Sequence, residues 1–191
     1  KATHLARRCG VAIDWVCADA IELPASLDRA FDLVWATMGV LCWIEDARAW
    51  MNAVARVLTP DGRLTLIDGH PGAEPEGGEP HIRAPSRRSI ESGWDYATES
   101  RTGPQVQFRH SIDAIATAAR AAGLRIERSW QHMDTSTHLC IPDLEREDDG
   151  RYRLRVRGRP QPVLFGLIAQ RERQQVIADS PIFMNATTAD G

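Results

Sequence analysis

The chain has 191 residues and a single lysine, Lys1. No basic run is long enough to mark a face for nucleic acid or an anionic membrane. The 23 basic and 26 acidic side chains leave a formal net charge of −3, so neither partner is expected. No apolar stretch reaches the roughly 18–20 residues of a membrane-spanning helix. Cysteine is sparse: Cys9, Cys17, Cys42 and Cys140 form no CxxC pair and no tight cluster with histidine. That spacing excludes an ordinary zinc site and predicts free thiols in a reducing, cytoplasmic compartment. The opening KATHLARRCG lacks the apolar centre of a signal peptide and does not begin with Met. No internal repeat is present.

What remains is ordinary globular material. The hydrophobic share is 43% and the charged share 26%, which excludes collagen-like, coiled-coil and wholly disordered chains. The length suits one domain with a real core. Residues 1–9 read as the end of a helix stopped by Gly10. Residues 11–18 (VAIDWVCA) read as a short buried strand, and residues 31–36 (FDLVWA) as a second. Asp46 can cap a helix with Ala47, Trp50, Met51, Val54, Ala55 and Leu58 on one face. Thr59-Pro60-Asp61-Gly62 ends it with turn chemistry, and residues 63–68 (RLTLID) form a third strand.

Six glycines and five prolines then occupy the 36 positions 69–104, too many chain breakers for regular structure throughout. That segment is expected to be a long connection or lid. Ser111 caps a further helix, Gly123 closes it, and residues 124–130 (LRIERSW) are a fourth strand. Residues 145–150 (EREDDG) read as a solvated turn and residues 162–170 (PVLFGLIAQ) as a last strand. The order predicts an α/β sheet, mostly parallel, ending in an antiparallel edge hairpin. The expected division is a domain over 1–170, with the lid at 69–109, and a C-terminal tail over 171–191.

In open α/β sheets the ligand lies beyond the carboxyl ends of the strands. Here those ends are Asp19-Ala20, Ala36-Thr37-Met38-Gly39 and Asp68-Gly69-His70. Asp19 is the sharpest of them. Its carboxylate suits an adenine amino group, and it equally suits the capping of the next turn.

Three segments carry a family resemblance. VCADAIELP at residues 16–24 resembles the "GDAxxLP" segment of class I S-adenosylmethionine-dependent methyltransferases. FDLVWA at 31–36 resembles their "FDLV" strand, and ARVLTPDGRL at 55–64 their "ARVLKPGGRL" turn. The order and distances fit as well, over about the first third of the chain. GVLCWI at 39–44, GHP at 69–71, FRHS at 108–111, AGLRIE at 122–127 and LFGL at 164–167 resemble a branch that acts on small molecules. The resemblance implies a Rossmann-like fold, S-adenosylmethionine as cofactor and a small-molecule acceptor. By it, Asp19 and Ala20 hold the adenine, while Ala36, Thr37 and Met38 line the methionine side and the methyl path.

There are departures. Ala18 and Asp61 stand where the family has glycine. More consequentially, no two glycines are two apart, so the glycine-rich loop of the family's first strand is missing, as is the acidic end of its second. Only glycine lets backbone approach the ligand so closely there. On the family order the first two strands are absent, on the order of 60 residues. Strand 11–18 should then be an unpaired edge. The sequence is thus expected to be a fragment of a longer protein, inactive alone and a poor binder of cofactor.

Methyl transfer is an in-line displacement to which alignment and exclusion of water contribute most. A base helps when the acceptor is a hydroxyl or amine, and histidine suits that task near neutral pH. His110 and His70 are the candidates. Trp43 and Trp94, in loops, could face a sulfonium, whereas Trp15, Trp35 and Trp50 are expected in the core. Two other functions compete: a degenerate, non-catalytic binding module, and a nicotinamide-dependent oxidoreductase. The oxidoreductase cannot draw a Tyr-x-x-x-Lys pair from this chain, because its one lysine is Lys1.

Overall fold

The computed structural model describes residues 2–73, 86–90, 94–95, 100–101, 103–136 and 143–173. In chain order the helices are α1 (Ala2–Arg8), α2 (Ala47–Val57) and α3 (Ile112–Ala121). The strands are β1 (Phe31–Thr37), β2 (Leu58–Gly69), β3 (Ser86–Ile90), β4 (Trp94–Asp95), β5 (Ser100–Arg101) and β6 (Gln105–Arg109). They continue with β7 (Leu124–His132), β8 (Asp134–Thr135), β9 (Leu144–Arg146), β10 (Tyr152–Val156), β11 (Arg159–Gln161) and β12 (Leu164–Arg171). Single turns of 3-10 helix lie at Ala25–Leu27, Leu41–Trp43 and Pro71–Ala73.

The helix boundaries follow their caps. Asp46 accepts from the N–H groups of Arg48 and Ala49 at 2.9 and 3.0 Å, satisfying two donors that the first turn of α2 leaves open. Ser111 does the same for α3 through Ala114 N–H at 3.0 Å. Gly10 and Gly123, both with positive φ, follow α1 and α3. In α2 and α3 the apolar side chains fall on one stripe each and face the main sheet.

That sheet has the order β1-β2-β12-β7. β1 pairs with β2 in parallel, and β12 lies antiparallel to both β2 and β7. Three strands therefore run one way and β12 alone runs against them. The antiparallel pairing expected of the last two strands is present, with β7 on the edge and β12 inside, although β8–β11 lie between them in the chain. Leu64 and Leu66 of β2 and Ala169 of β12 are fully buried, with Phe165 and Leu167 nearly so. They join Trp50, Met51, Val54, Ile115 and Ala119 of the helices in one core.

A second, antiparallel sheet runs β11-β10-β8, with β9 also on β10. Arg151 and Arg153 tie it together by ion pairs to Asp134, Glu147 and Asp149. Its small core of Ala73, Leu144, Leu154 and Val163 rests on the turn that follows β2. Further pairs are β3 with β6 and β4 with β5. No described helix is long and apolar enough to cross a membrane.

Several expectations need correction. Residues 11–18 are neither strand nor buried: all are exposed, Val11 by 53% and Val16 by 54%. An apolar run becomes a strand only beside a hydrogen-bonding neighbour, and among the described strands none pairs with it. Trp50 is in the core as expected, whereas Trp15 is 53% and Trp35 62% exposed. Leu33 and Trp35 alternate with Val34 and Ala36 along β1, so they point away from the helices. Residues 59–62 are not a free turn but the start of β2, bent by Asp61 at φ +68° and by a register shift opposite Phe31–Leu33. Segment 69–104 contains β3, β4 and β5. Residues 145 and 146 of the expected acidic turn belong to β9, and β10–β11 is a hairpin not expected from the sequence. Most of the tail, residues 174–191, lies outside the described residues.

Gly166 marks the closest approach in the main sheet. It is in register with Trp130, and a Cβ there would lie 2.2 Å from the indole. Gly166→Ala should destabilise the protein by about 1–3 kcal/mol through overpacking. In Trp130→Ala the same substitution should be nearly neutral. Denaturant unfolding of the two single variants and the double variant measures that coupling.

Candidate functional site

The carboxyl ends of the parallel pair β1–β2 are where the sequence placed most of its candidates. The ladder continues past β1, with Met38 N–H donating to Ile67 C=O at 2.8 Å. The backbone then turns sharply: Met38 has φ +57° and Gly39 φ +94°. Glycine takes that conformation freely, but for Met38 it costs on the order of 1 kcal/mol. Something must hold it.

Two buried side chains do. Asp68, at the end of β2, is 4% exposed. Its Oδ1 accepts from Gly39 N–H at 2.7 Å and its Oδ2 from Leu41 N–H at 2.9 Å. Oδ1 also accepts from Gly69 N–H at 2.7 Å. The alternation Leu64, Leu66, Asp68 puts this carboxyl on the buried face of the strand, and backbone donors of the neighbouring turn satisfy it. The far end of the same turn is held by His110, 5% exposed, whose Nε2 lies 2.6 Å from Ile44 O. A carbonyl only accepts, so Nε2 carries the hydrogen. His110 Nδ1 is buried without a partner, and in the neutral ring it is an acceptor.

His70 has the opposite arrangement. Gly72 N–H donates to its Nδ1 at 3.0 Å, so in the neutral ring Nε2 carries the hydrogen, and that atom too is buried without a partner. Burial pushes its pKa below the ordinary value of 6.5. Arg109, the residue before His110, donates to the carbonyl of Pro71, the residue after His70, at 3.3 Å. The two histidine-bearing segments are thereby tied to each other.

The remaining candidates divide. Ala36 is buried, Thr37 half-buried, and Met38 47% exposed, all on the final residues of β1 and the turn behind it. Asp19 and Ala20 are exposed. Asp19 Oδ1 accepts from Ile21 N–H at 2.8 Å, which is the turn-capping role, and leaves Oδ2 as a further acceptor. Ile21 packs against the main core, anchoring that loop, but among the described residues no hydrogen bond joins Asp19 or Ala20 to the end of β1. Trp43 is 52% exposed at the same turn, and Trp94 has no described side chain. No group of His, Cys, Asp and Glu among the described residues could hold a metal ion. The sequence places Asp68 at a strand end without giving it a role; the alternation of RLTLID is the signal that puts its side chain on the buried face.

A methyltransferase domain family model matches residues 1–66, the segment ending in β2. A malonyl-[acyl-carrier protein] O-methyltransferase of Hahella chejuensis is 42% identical over 60 residues, 31% of this chain. The match spans 21% of that enzyme's length. The S-adenosylmethionine-dependent methyltransferase structure from Mesorhizobium loti superposes with a TM-score of 0.52 at 18% identity, covering 90% of this chain and 77% of that one. Another S-adenosylmethionine-dependent methyltransferase structure, from Listeria monocytogenes, gives 0.55 at 11% identity, covering 91% of this chain and 77% of that one.

Residues 1–66 are thus similar to the methyltransferase domain family, and the chain shares the fold of these methyltransferase structures.

The described main sheet comprises four strands, and the outer edge of β1 is unpaired among the described residues. The candidate site elements are the end of β1, the turn at 38–44, Asp68 and the two histidines. The depressed pKa of His70 sets a pH dependence. The unfolded chain takes up a proton near pH 6.5 that the folded chain refuses, so stability present above that pH is lost as pH falls below it. Unfolding free energy measured between pH 7 and 5 should decline, and His70→Gln should flatten that decline.

Proposed function

We propose that the protein transfers the methyl group of S-adenosylmethionine to a small-molecule acceptor. The observation that carries this reading is the pinned turn after β1, lying at the strand ends inside the segment matched by the methyltransferase family. Ala36, Thr37 and Met38 border the cofactor's methionine side, and Asp19 with Ala20 receives the adenine. The residues present fit that group in part. Oδ2 of Asp19 remains to accept from an amino group, and the turn at Met38–Gly39 presents exposed backbone. A GxGxG-like glycine-rich loop, by contrast, is not found in the 191-residue sequence.

When bound, the cofactor supplies a methyl group made electrophilic by its sulfonium. The chain's own residues then align the acceptor and manage its proton. His110 Nδ1 is the candidate proton acceptor, held in the right tautomer by Ile44 O. His70 Nε2–H is a candidate donor to the same acceptor. A donor and an acceptor together suit a group that can both give and take a hydrogen bond, such as a hydroxyl. The β3–β6 hairpin belongs to the lid proposed over 69–109, where acceptor choice resides. The Hahella relative is a malonyl-[acyl-carrier protein] O-methyltransferase, matched over 60 residues.

A non-catalytic binding module is the second reading, favoured by exposed Leu33 and Trp35 beside the unpaired β1 edge. Calorimetric titration of S-adenosylmethionine separates the two. It is made into this chain and into the product of the complete open reading frame. Binding by the latter, weakened about tenfold by Asp19→Ala through the lost charged acceptor, supports the enzyme reading. Binding by neither protein rejects it in favour of the module.

A further inference from the structure

Asp68 is a buried carboxyl with an unusual set of partners. All three of its hydrogen bonds are to backbone N–H groups, two of them from across the sheet in the turn after β1. Among the described residues no cation pairs with it. An ion pair would have cancelled its charge, whereas backbone dipoles hold the carboxylate in place and leave a net negative charge at the strand ends. The same bonds fix the positive-φ pair Met38–Gly39, which the proposed cofactor site uses.

We infer that Asp68 is a positioning residue with two linked effects: it sets the backbone of the turn at 38–41, and its uncancelled charge favours a cationic sulfonium there over a neutral thioether. The inference rests on the S-adenosylmethionine reading given above. In a low-dielectric setting a fixed negative charge discriminates between ligands that differ by one positive charge. S-adenosylmethionine and S-adenosylhomocysteine differ by a methyl group and the positive charge it brings, so a change in their relative affinity on neutralising Asp68 reads the charge.

The test uses the product of the complete open reading frame. Native-state amide exchange of the unsubstituted protein should show Gly39 and Leu41 protected by about a hundredfold or more relative to an open turn. Fast exchange at both positions overturns the clamp without any variant being needed. Calorimetry with Asp68→Asn should show S-adenosylmethionine weakened about tenfold more than S-adenosylhomocysteine. An equal loss for both ligands, or no loss, overturns the charge role. If the unsubstituted protein binds neither ligand, the cofactor reading fails and takes this inference with it. Normal binding with an unchanged preference in Asp68→Asn removes the inference alone.

Discussion

One turn, residues 38–44, carries the local architecture, and two buried polar side chains hold it. Asp68 reaches it from the neighbouring strand and His110 from the N-terminal end of α3. Neither contact is local in sequence: Asp68 lies 29 residues from Gly39 and His110 lies 66 from Ile44. A positive-φ methionine in an exposed turn is unfavourable alone. Here the surrounding bonds over-determine it, as strained backbone at functional positions requires. The β2 strand makes this possible, since β1 docks on one side of it and β12 on the other.

The small second sheet extends the same logic. His70 N–H donates to Val163 C=O, and Val163 N–H donates to His132 C=O. Val163 is fully buried in the second core beside Ala73. The turn carrying His70 is therefore fixed from behind by the end of β7 and the approach to β12. Arg109, bonded to Pro71, fixes it from the side of β6. Histidines placed this way keep their ring orientation, and the orientation decides which nitrogen donates and which accepts.

Elements whose signals are local were legible in the sequence. Asp46 and Ser111 announced their helices because a cap acts within three residues. The alternating run RLTLID announced β2 because side-chain direction has a period of two. Residues 11–18 were misread because apolar composition specifies only a wish to be buried, and pairing depends on a neighbour far along the chain. Trp35 failed for the same reason: β1 was found, but whether its second face is covered is a property of the assembly. The β10–β11 hairpin was missed although Tyr152, Leu154 and Val156 alternate before Arg157-Gly158; the intervening arginines hid a strand whose charged face bonds to Asp134, Glu147 and Asp149. Of the site, Ala36, Thr37 and Met38 were placed correctly at a strand end. Asp68 was legible as a strand end but not in its role, because its partners are backbone atoms, which no side-chain motif records.

Charge and apolar surface are distributed unequally around β1, and that asymmetry bears on chemistry. Most of the exposed large apolar residues fall within residues 11–16 and 31–43. The opposite side of the sheet, at β7, is edged by Arg125, Glu127 and Arg128, where Arg63 and Arg125 hold Glu127 well below the ordinary carboxylate range. A charged β7 edge is protected from further pairing by its own side chains. The β1 edge, flanked by Leu33 and Trp35, has no such protection. Strands in parallel arrangements are normally covered on both faces, so apolar cover over β1 would lower the local dielectric around the turn at 38–41. Because electrostatic selectivity scales inversely with that dielectric, the discrimination assigned to Asp68 strengthens as that surface is covered.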